Sequence, residues 1–196
     1  GGAAAMDEKT QRLTSQMHKA IAVIQFKLES QLFKKHPEWK MKDRCLFDHI
    51  DYRKGKVEIY GKEYDMTSCH FPTIDPDNPD KLSEEEEILI QKLHHSFMVC
   101  EKLHKHIKVM LQHGCMYAIF NNNLLFHASC PLNEDGSLKE IEIYPGKKFS
   151  GRSLMHHTGM QIRTAFQSDS DPNEKEYAID YFIYLWCGPN SPLFDK

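Results

Sequence analysis

The sequence contains no long uninterrupted apolar run, no CxxC pair, no HExxH motif and no internal repeat. Charged, polar or turn-forming residues break up every apolar segment, so a membrane-spanning helix does not fit. Nor does a solenoid, for want of a repeating unit. An excess of either charge is missing too: 25 Lys and Arg stand against 28 Asp and Glu, a net charge of -3. A nucleic-acid footprint spread over the surface is thereby excluded, and any phosphate chemistry must be local. The six cysteines, Cys45, Cys69, Cys100, Cys115, Cys130 and Cys187, lie far apart, and no charged-then-apolar leader marks secretion. They read as reduced thiols of a soluble cytoplasmic protein.

What is present is a chain of 196 residues, 40% of them hydrophobic and 27% charged. That is enough for one domain or part of a larger one. Gly1–Met6 reads as a leader or cloning remnant, or as the broken end of a longer native chain, and is set aside. From Asp7 to His36, Leu13, Met17, Ile21, Ile24, Leu28 and Leu32 recur at steps of three or four, which predicts an amphipathic helix closed by Pro37. KVEIYGKEYDM predicts a hairpin over residues 56–66 turning at Gly61, and the three prolines of PTIDPDNPD predict an extended linker. Ser83 and Glu86 have capping-box spacing. A second long stripe follows, Leu89, Leu93, Phe97, Cys100, Leu103, Ile107 and Leu111, stopped at Gly114. The two helices are expected to pack as a long antiparallel pair.

After Gly114 the period shortens. CMYAIF and LLFHASC read as strands buried on both faces around an Asn121–Asn123 turn, and LKEIEIYPGKKF as another hairpin. Two more helices follow, one with the stripe Leu154, Thr158, Ile162 and Phe166, the other from about Glu174 to Trp186, ended by Gly188-Pro189. The fold class expected is α+β.

Twelve histidines invite a metal reading, but spacing removes most of them. His104 and His106 are two apart on a helix and His94 and His95 are adjacent, so neither pair converges. His18, His113, His156 and His157 read as polar-face or partly buried helix residues. Cysteine-bound zinc would bring its ligands in close pairs, which are missing. His127 differs because it ends an apolar strand. If buried there, it would stay neutral and keep the lone pair a metal needs, although a core histidine bonded to backbone satisfies the same pattern. In KKFSGRS, Lys147, Lys148 and Arg152 surround a helix start capped by Ser150, a geometry suited to an anion, and equally to an ordinary solvated surface. Glu134 and Asp135 precede Gly136 in a turn, where acidic residues are favoured for backbone reasons, and are assigned no acid-base role. Cys130 and Cys187 read as buried structural thiols, and Trp186 to Pro189 as a helix end packing its last turn.

LLFHASCPLNEDGS and YLWCGPNSPLFDK, with MHKAIAVIQFKLE, FPTID and CEKLHKHI upstream, closely resemble the class 3 fructose-1,6-bisphosphatases of bacteria. The resemblance runs over almost everything after the leader, in the family's order. It implies a calcineurin-type metallophosphatase, a β-sandwich flanked by helices that holds two divalent ions, manganese or magnesium, over a substrate phosphate. The family's ligands come from DxH, GDxxDRG and GNH motifs, a strand-end histidine and a final GH. Only the strand-end histidine has a counterpart here, His127. The resemblance thus implies an internal fragment: residues 7–113 as a helical insertion and 114–196 as part of the metallophosphatase core.

The function implied is removal of the phosphate at carbon one of fructose 1,6-bisphosphate, in gluconeogenesis, by an enzyme of which this piece alone is inactive. No catalytic residue falls within it, and Lys147, Lys148 and Arg152 are its substrate-binding candidates. Neither nucleic acid nor membrane is expected as a partner, and a homo-oligomer is left open. The alternative is a catalytically silent helical interaction or oligomerisation module in which His127 is structural. A third reading, a stand-alone zinc protein, predicts stoichiometric metal.

Overall fold

A computed structural model describes residues 7–67, 69–144 and 146–194; Gly1–Met6 and Pro145 of the second predicted hairpin lie outside them. The chain forms two compact units. One joins the residues up to Lys35 to Lys42–His94, and the other joins His36–Met41 to the residues from His95 onward. Helices and small antiparallel sheets mix throughout, as expected for α+β.

In the first unit α1 (Glu8–Lys35) ends two residues before Pro37. Its buried face is Val23, Ile24, Lys27, Ser30 and Phe33, rotated from the predicted stripe, of which Leu13, Met17 and Ile21 are exposed. Two short 3₁₀ turns, Lys42–Arg44 and Leu46–His49, carry Phe47 against Phe26 of α1 and against Phe71, with ring centroids 6.0 and 5.8 Å apart. A three-stranded antiparallel sheet follows, β1 (Ile50–Asp51), β2 (Lys56–Ile59) and β3 (Lys62–Asp65). β2 and β3 turn at Tyr60 and Gly61, both with positive φ, the conformation a tight hairpin demands.

PTIDPDNPD is not an extended linker. Ile74, Asn78 and Lys81 each donate a backbone bond to the carbonyl three residues back, so its prolines punctuate consecutive turns. The predicted capping box is present at the start of α2 (Glu84–Met98), where Glu86 N donates to Ser83 Oγ (3.3 Å) and Ser83 N to Glu86 Oε2 (2.8 Å).

The second predicted helix is two helices. α2 stops at Met98, and α3 (Glu101–His113) begins after Cys100, whose backbone is extended. Neither glycine nor proline marks the break, which a 3₁₀-type bond from Cys100 N to Phe97 O tightens. The second member of the expected antiparallel pair is therefore not one continuous helix. At Gly114 an added Cβ would lie 2.4 Å from Met110 O, so the expected glycine is required, for close approach and not for a left-handed cap.

In the second unit β4 (Tyr117–Phe120) and β5 (Asn123–Phe126) form one hairpin, and β6 (Ile141–Tyr144) and β7 (Lys147–Phe149) another. α4 (Gly151–Phe166) packs against α5 (Pro172–Cys187). The core is aromatic. Tyr177, Tyr181 and Tyr184 stack along one face of α5, and Trp39, only 2% exposed, meets all three rings. Among the described residues no helix is long and apolar enough to cross a membrane.

Candidate functional site

The expectation that β4 and β5 are buried on both faces is overturned. Ile119, Phe120, Leu124, Leu125 and Phe126 are 41–70% exposed, and among the described residues each strand pairs only with the other. A run of apolar residues cannot show whether anything covers it. His127 follows at the bend after Phe126 and is itself exposed.

The segment leaving His127 is anchored, however. Ser129 donates from its backbone N to Pro192 O (3.4 Å) and from Oγ to Ser191 O (3.1 Å), and Lys139 Nζ donates to Asn190 Oδ1 (3.0 Å). The two most distinctive stretches of the sequence, residues 124–137 and 184–194, thus meet. Their junction rests on Ser191, fully buried, whose Oγ donates to Leu185 O and accepts from Leu193 N. Gly188 is required there, because a Cβ would lie 2.4 Å from the Tyr184 ring. Trp186 corrects its expectation: it is 74% exposed and does not pack the last turn. Cys130 and Cys187 are half-buried, whereas Cys45 is buried and its thiol pKa is raised by desolvation.

Lys147 and Lys148 lie on β7 and Arg152 in the first turn of α4, all exposed to solvent. Lys147 sits over the Tyr144 ring, 5.8 Å from its centroid, and Lys148 is 3.8 Å from Glu140. At the helix start Ser150 N donates to Ser153 Oγ (3.1 Å) and Ser153 Oγ to Ser150 O (2.8 Å). Gly151 has φ +46, and an added Cβ would meet the end of the Leu138 side chain at 2.7 Å, so glycine suits this entry to the helix. No hydrogen bond or ion pair among the described residues links these three cations to His127.

Asp135 serves its turn as expected. Its Oδ1 accepts from Ser137 N (2.9 Å) and Oγ (2.6 Å), bonds that hold its pKa below the usual value.

Two polar groups stand out that sequence reasoning did not single out. Lys27, fully buried, donates to Glu86 Oε2 (2.7 Å) and Thr73 O (2.6 Å), and Thr73 Oγ1 donates to Glu86 Oε1 (2.6 Å). Burial alone would raise the Glu86 pKa, but the bonds from Lys27, Thr73 and Ser83 outweigh it and lower the value. The capping box located Glu86, yet no local signal located its partner 59 residues away. His157, on the inner face of α4, stacks on Phe149 at 4.2 Å and meets Tyr144 edge-on, with Nε2 buried and unbonded. Burial, then the charges of Lys147 and His156, push its pKa down to about 4. Among the described residues no three His, Cys, Asp or Glu side chains gather where they could hold a metal ion.

A family model described as Firmicute fructose-1,6-bisphosphatase matches residues 2–196. Among curated proteins, a fructose-1,6-bisphosphatase class 3 of Parabacteroides distasonis is 50% identical over 192 residues, covering 98% of this chain and 29% of that protein. Proteins of the same name from Clostridium novyi (50% identical, 94% of this chain, 28% of that one) and Porphyromonas gingivalis (45%, 97% and 29%) match similarly. The chain therefore spans under a third of the length of these relatives. No solved structure matches.

Proposed function

The chain belongs to the Firmicute fructose-1,6-bisphosphatase family, and from that premise we propose that it is one segment of a metal-dependent fructose-1,6-bisphosphate 1-phosphatase that is inactive without the rest of the polypeptide. The observation that carries the reading is identity near 50% along almost the whole chain to proteins more than three times as long. What those relatives are named for is a phosphoric monoester hydrolysis. Its product here would be fructose 6-phosphate, which suits gluconeogenesis and a cytoplasmic setting.

In this reading the exposed β4–β5 ribbon is the edge of a metallophosphatase core. A two-stranded ribbon is marginal by itself in water, and this one leaves five large apolar side chains uncovered. His127, at its end, is proposed as one imidazole ligand of manganese or magnesium. The described residues alone do not fit a two-ion cage, since one imidazole cannot hold two ions. The other ligands are assigned to parts of the polypeptide outside this chain. Lys147, Lys148 and Arg152 are proposed to meet a substrate phosphate at the start of α4, where backbone N–H groups and cations favour an anion.

The deciding experiment compares this chain with the full-length polypeptide that carries it, measuring phosphate release from fructose 1,6-bisphosphate with added manganese. The expected result is turnover by the full-length protein and none by the chain alone; sustained turnover by the chain alone refutes the reading. In the full-length enzyme His127→Ala should weaken manganese binding by about tenfold or more, since the loss of mere outer-shell partners costs about 10–100-fold. Arg152→Ala should raise KM, and an unchanged KM removes the anion assignment.

A further inference from the structure

On the inner face of α4, Nε2 of His157 and Oε1 of Gln161 are both buried without a hydrogen-bond partner among the described residues. Their side chains are 8% and 7% exposed, so neither atom is open to solvent. Buried polar atoms are almost always paired with protein or with enclosed water, because an unpaired one forfeits its hydration. Residues four apart on a helix are neighbours, with Cβ atoms about 5–6 Å from each other. Rings close in around the pair. Phe149 stacks on the imidazole at 4.2 Å, and Tyr144 and Tyr181 meet it edge-on, with centroids 5.4 and 6.4 Å away. The Gln161 amide also bonds the Tyr144 side chain, which holds it against β6.

We propose that this part of α4 is a binding site for one enclosed water molecule, which joins His157 Nε2 to Gln161 Oε1. The chemistry of the two atoms selects it. Burial and the nearby charges of Lys147 and His156 keep the ring neutral. The same charges oppose a bound cation, for which two ligands are in any case too few. An anion is opposed by the carbonyl oxygen, itself an acceptor. What remains is a neutral molecule able to donate, and both atoms are sealed from solvent, which leaves no way in for a large one. Water donates to Oε1. At Nε2 it donates to the lone pair or accepts the ring hydrogen, so both tautomers of the neutral imidazole are satisfied. Two bonds of about 2.8–3.0 Å meeting at one oxygen span a gap of one helical turn, which no direct bond closes here. The bridge completes a polar link from Tyr144 of β6 through Gln161 to His157, inside an otherwise aromatic core. It lies wholly within this chain, so it needs no other segment of the polypeptide, and it stands independently of the phosphatase assignment.

The test is a crystal structure of the full-length polypeptide, with oxygen-17 relaxation dispersion counting long-lived waters in solution. The crystal should show one water within about 3.2 Å of both atoms. Combining His157→Phe with Gln161→Leu should remove one long-lived water from the solution count. In denaturant titrations each single substitution leaves the other atom unpaired, so the double variant should lose less stability than the sum of the two singles. Absence of the water from the crystal overturns the proposal, whether the two atoms bond each other, find separate protein partners or stay unpaired. So does an unchanged water count in the double variant, or strict additivity of the two substitutions. The wild-type crystal decides the matter even where a variant fails to fold.

Discussion

The two units bury polar chemistry in opposite ways. The first takes a full ion pair into its interior and satisfies it, Lys27 on Glu86 and Thr73, Glu86 on Thr73 and Ser83 as well. The second buries mainly neutral rings, with one exception set between carboxylates, His36, whose ring nitrogens bond Glu38 (3.0 Å) and Asp180 (2.9 Å). Tyr177 donates to Ile143 O and receives a bond from Trp39 Nε1 (3.1 Å), Tyr184 donates to Pro189 O (2.6 Å), and burial raises the pKa of all three α5 tyrosines. His157, packed against Tyr144 and Tyr181, has its pKa lowered for the same reason. A buried pair tolerates the loss of both members better than of one, whereas a core of packed rings is damaged by a cavity or by the arrival of a charge.

The largest expected effect breaks the pair on one side. Lys27→Met leaves Glu86 buried without its cation and should destabilise the first unit by about 3–5 kcal/mol. Adding Glu86→Leu should recover much of that loss in denaturant titrations. Equal damage in the single and double variants would show that the pair is not the relevant unit. A comparable loss in the second unit, about 3 kcal/mol or more, is expected of Trp39→Ala, which empties the space between the α5 tyrosines. There no second substitution should rescue.

Acid sharpens the contrast. The folded pKa of His157 lies below its unfolded value of 6.5, so its contribution is fully present above pH 6.5 and disappears as the pH falls towards 4. Allowing for partial screening, the loss is about 2 kcal/mol. The folded pKa of Glu86 is also lowered, from 4.5, so its contribution is present above pH 4.5 and is lost only as the pH falls through the lower folded value. On acidification the second unit should therefore weaken first. Hydrogen exchange resolved by segment should show protection falling in α4 and α5 before α1 and α2. His157→Phe should abolish that early loss, and loss in the opposite order would refute the assignment.

The smallest effects are at the helix starts. Asp171 Oδ1 accepts from Asn173 N (2.9 Å) and Glu174 N (3.2 Å) before α5, and Ser83 caps α2. Asp171→Ala and Ser83→Ala should each cost about 1 kcal/mol. A larger loss from Ser83→Ala would indicate that the cap also supports the Lys27–Glu86 pair, since Ser83 N bonds the same carboxylate oxygen as Lys27.

Local features were legible where local physics decides them. The end of α1 before Pro37, the Gly61 hairpin, the capping box at Ser83 and the Asp135 turn all lie where short-range sterics and hydrogen bonding put them. Other readings failed because they needed knowledge of what lies opposite. The break at Val99–Cys100 carries no breaker residue, and the β4–β5 ribbon has the composition of a buried strand pair without its cover. For the candidate site, position was legible and environment was not. His127 does end its strand, but its exposure, and the bonds tying Ser129 to Ser191 and Pro192, depend on segments about sixty residues apart.

The sequence by itself determined which residues turn, cap and alternate, and through its long matching segments it determined the family. Those properties depend on neighbours within a few positions or on residue identity alone. Only the tertiary structure decided which lysine is buried, which histidine is kept from taking a proton, and which helix face is left bare. Desolvation and pairing are set by whatever packs across the interior, and no local spacing encodes the distance from Lys27 to Glu86.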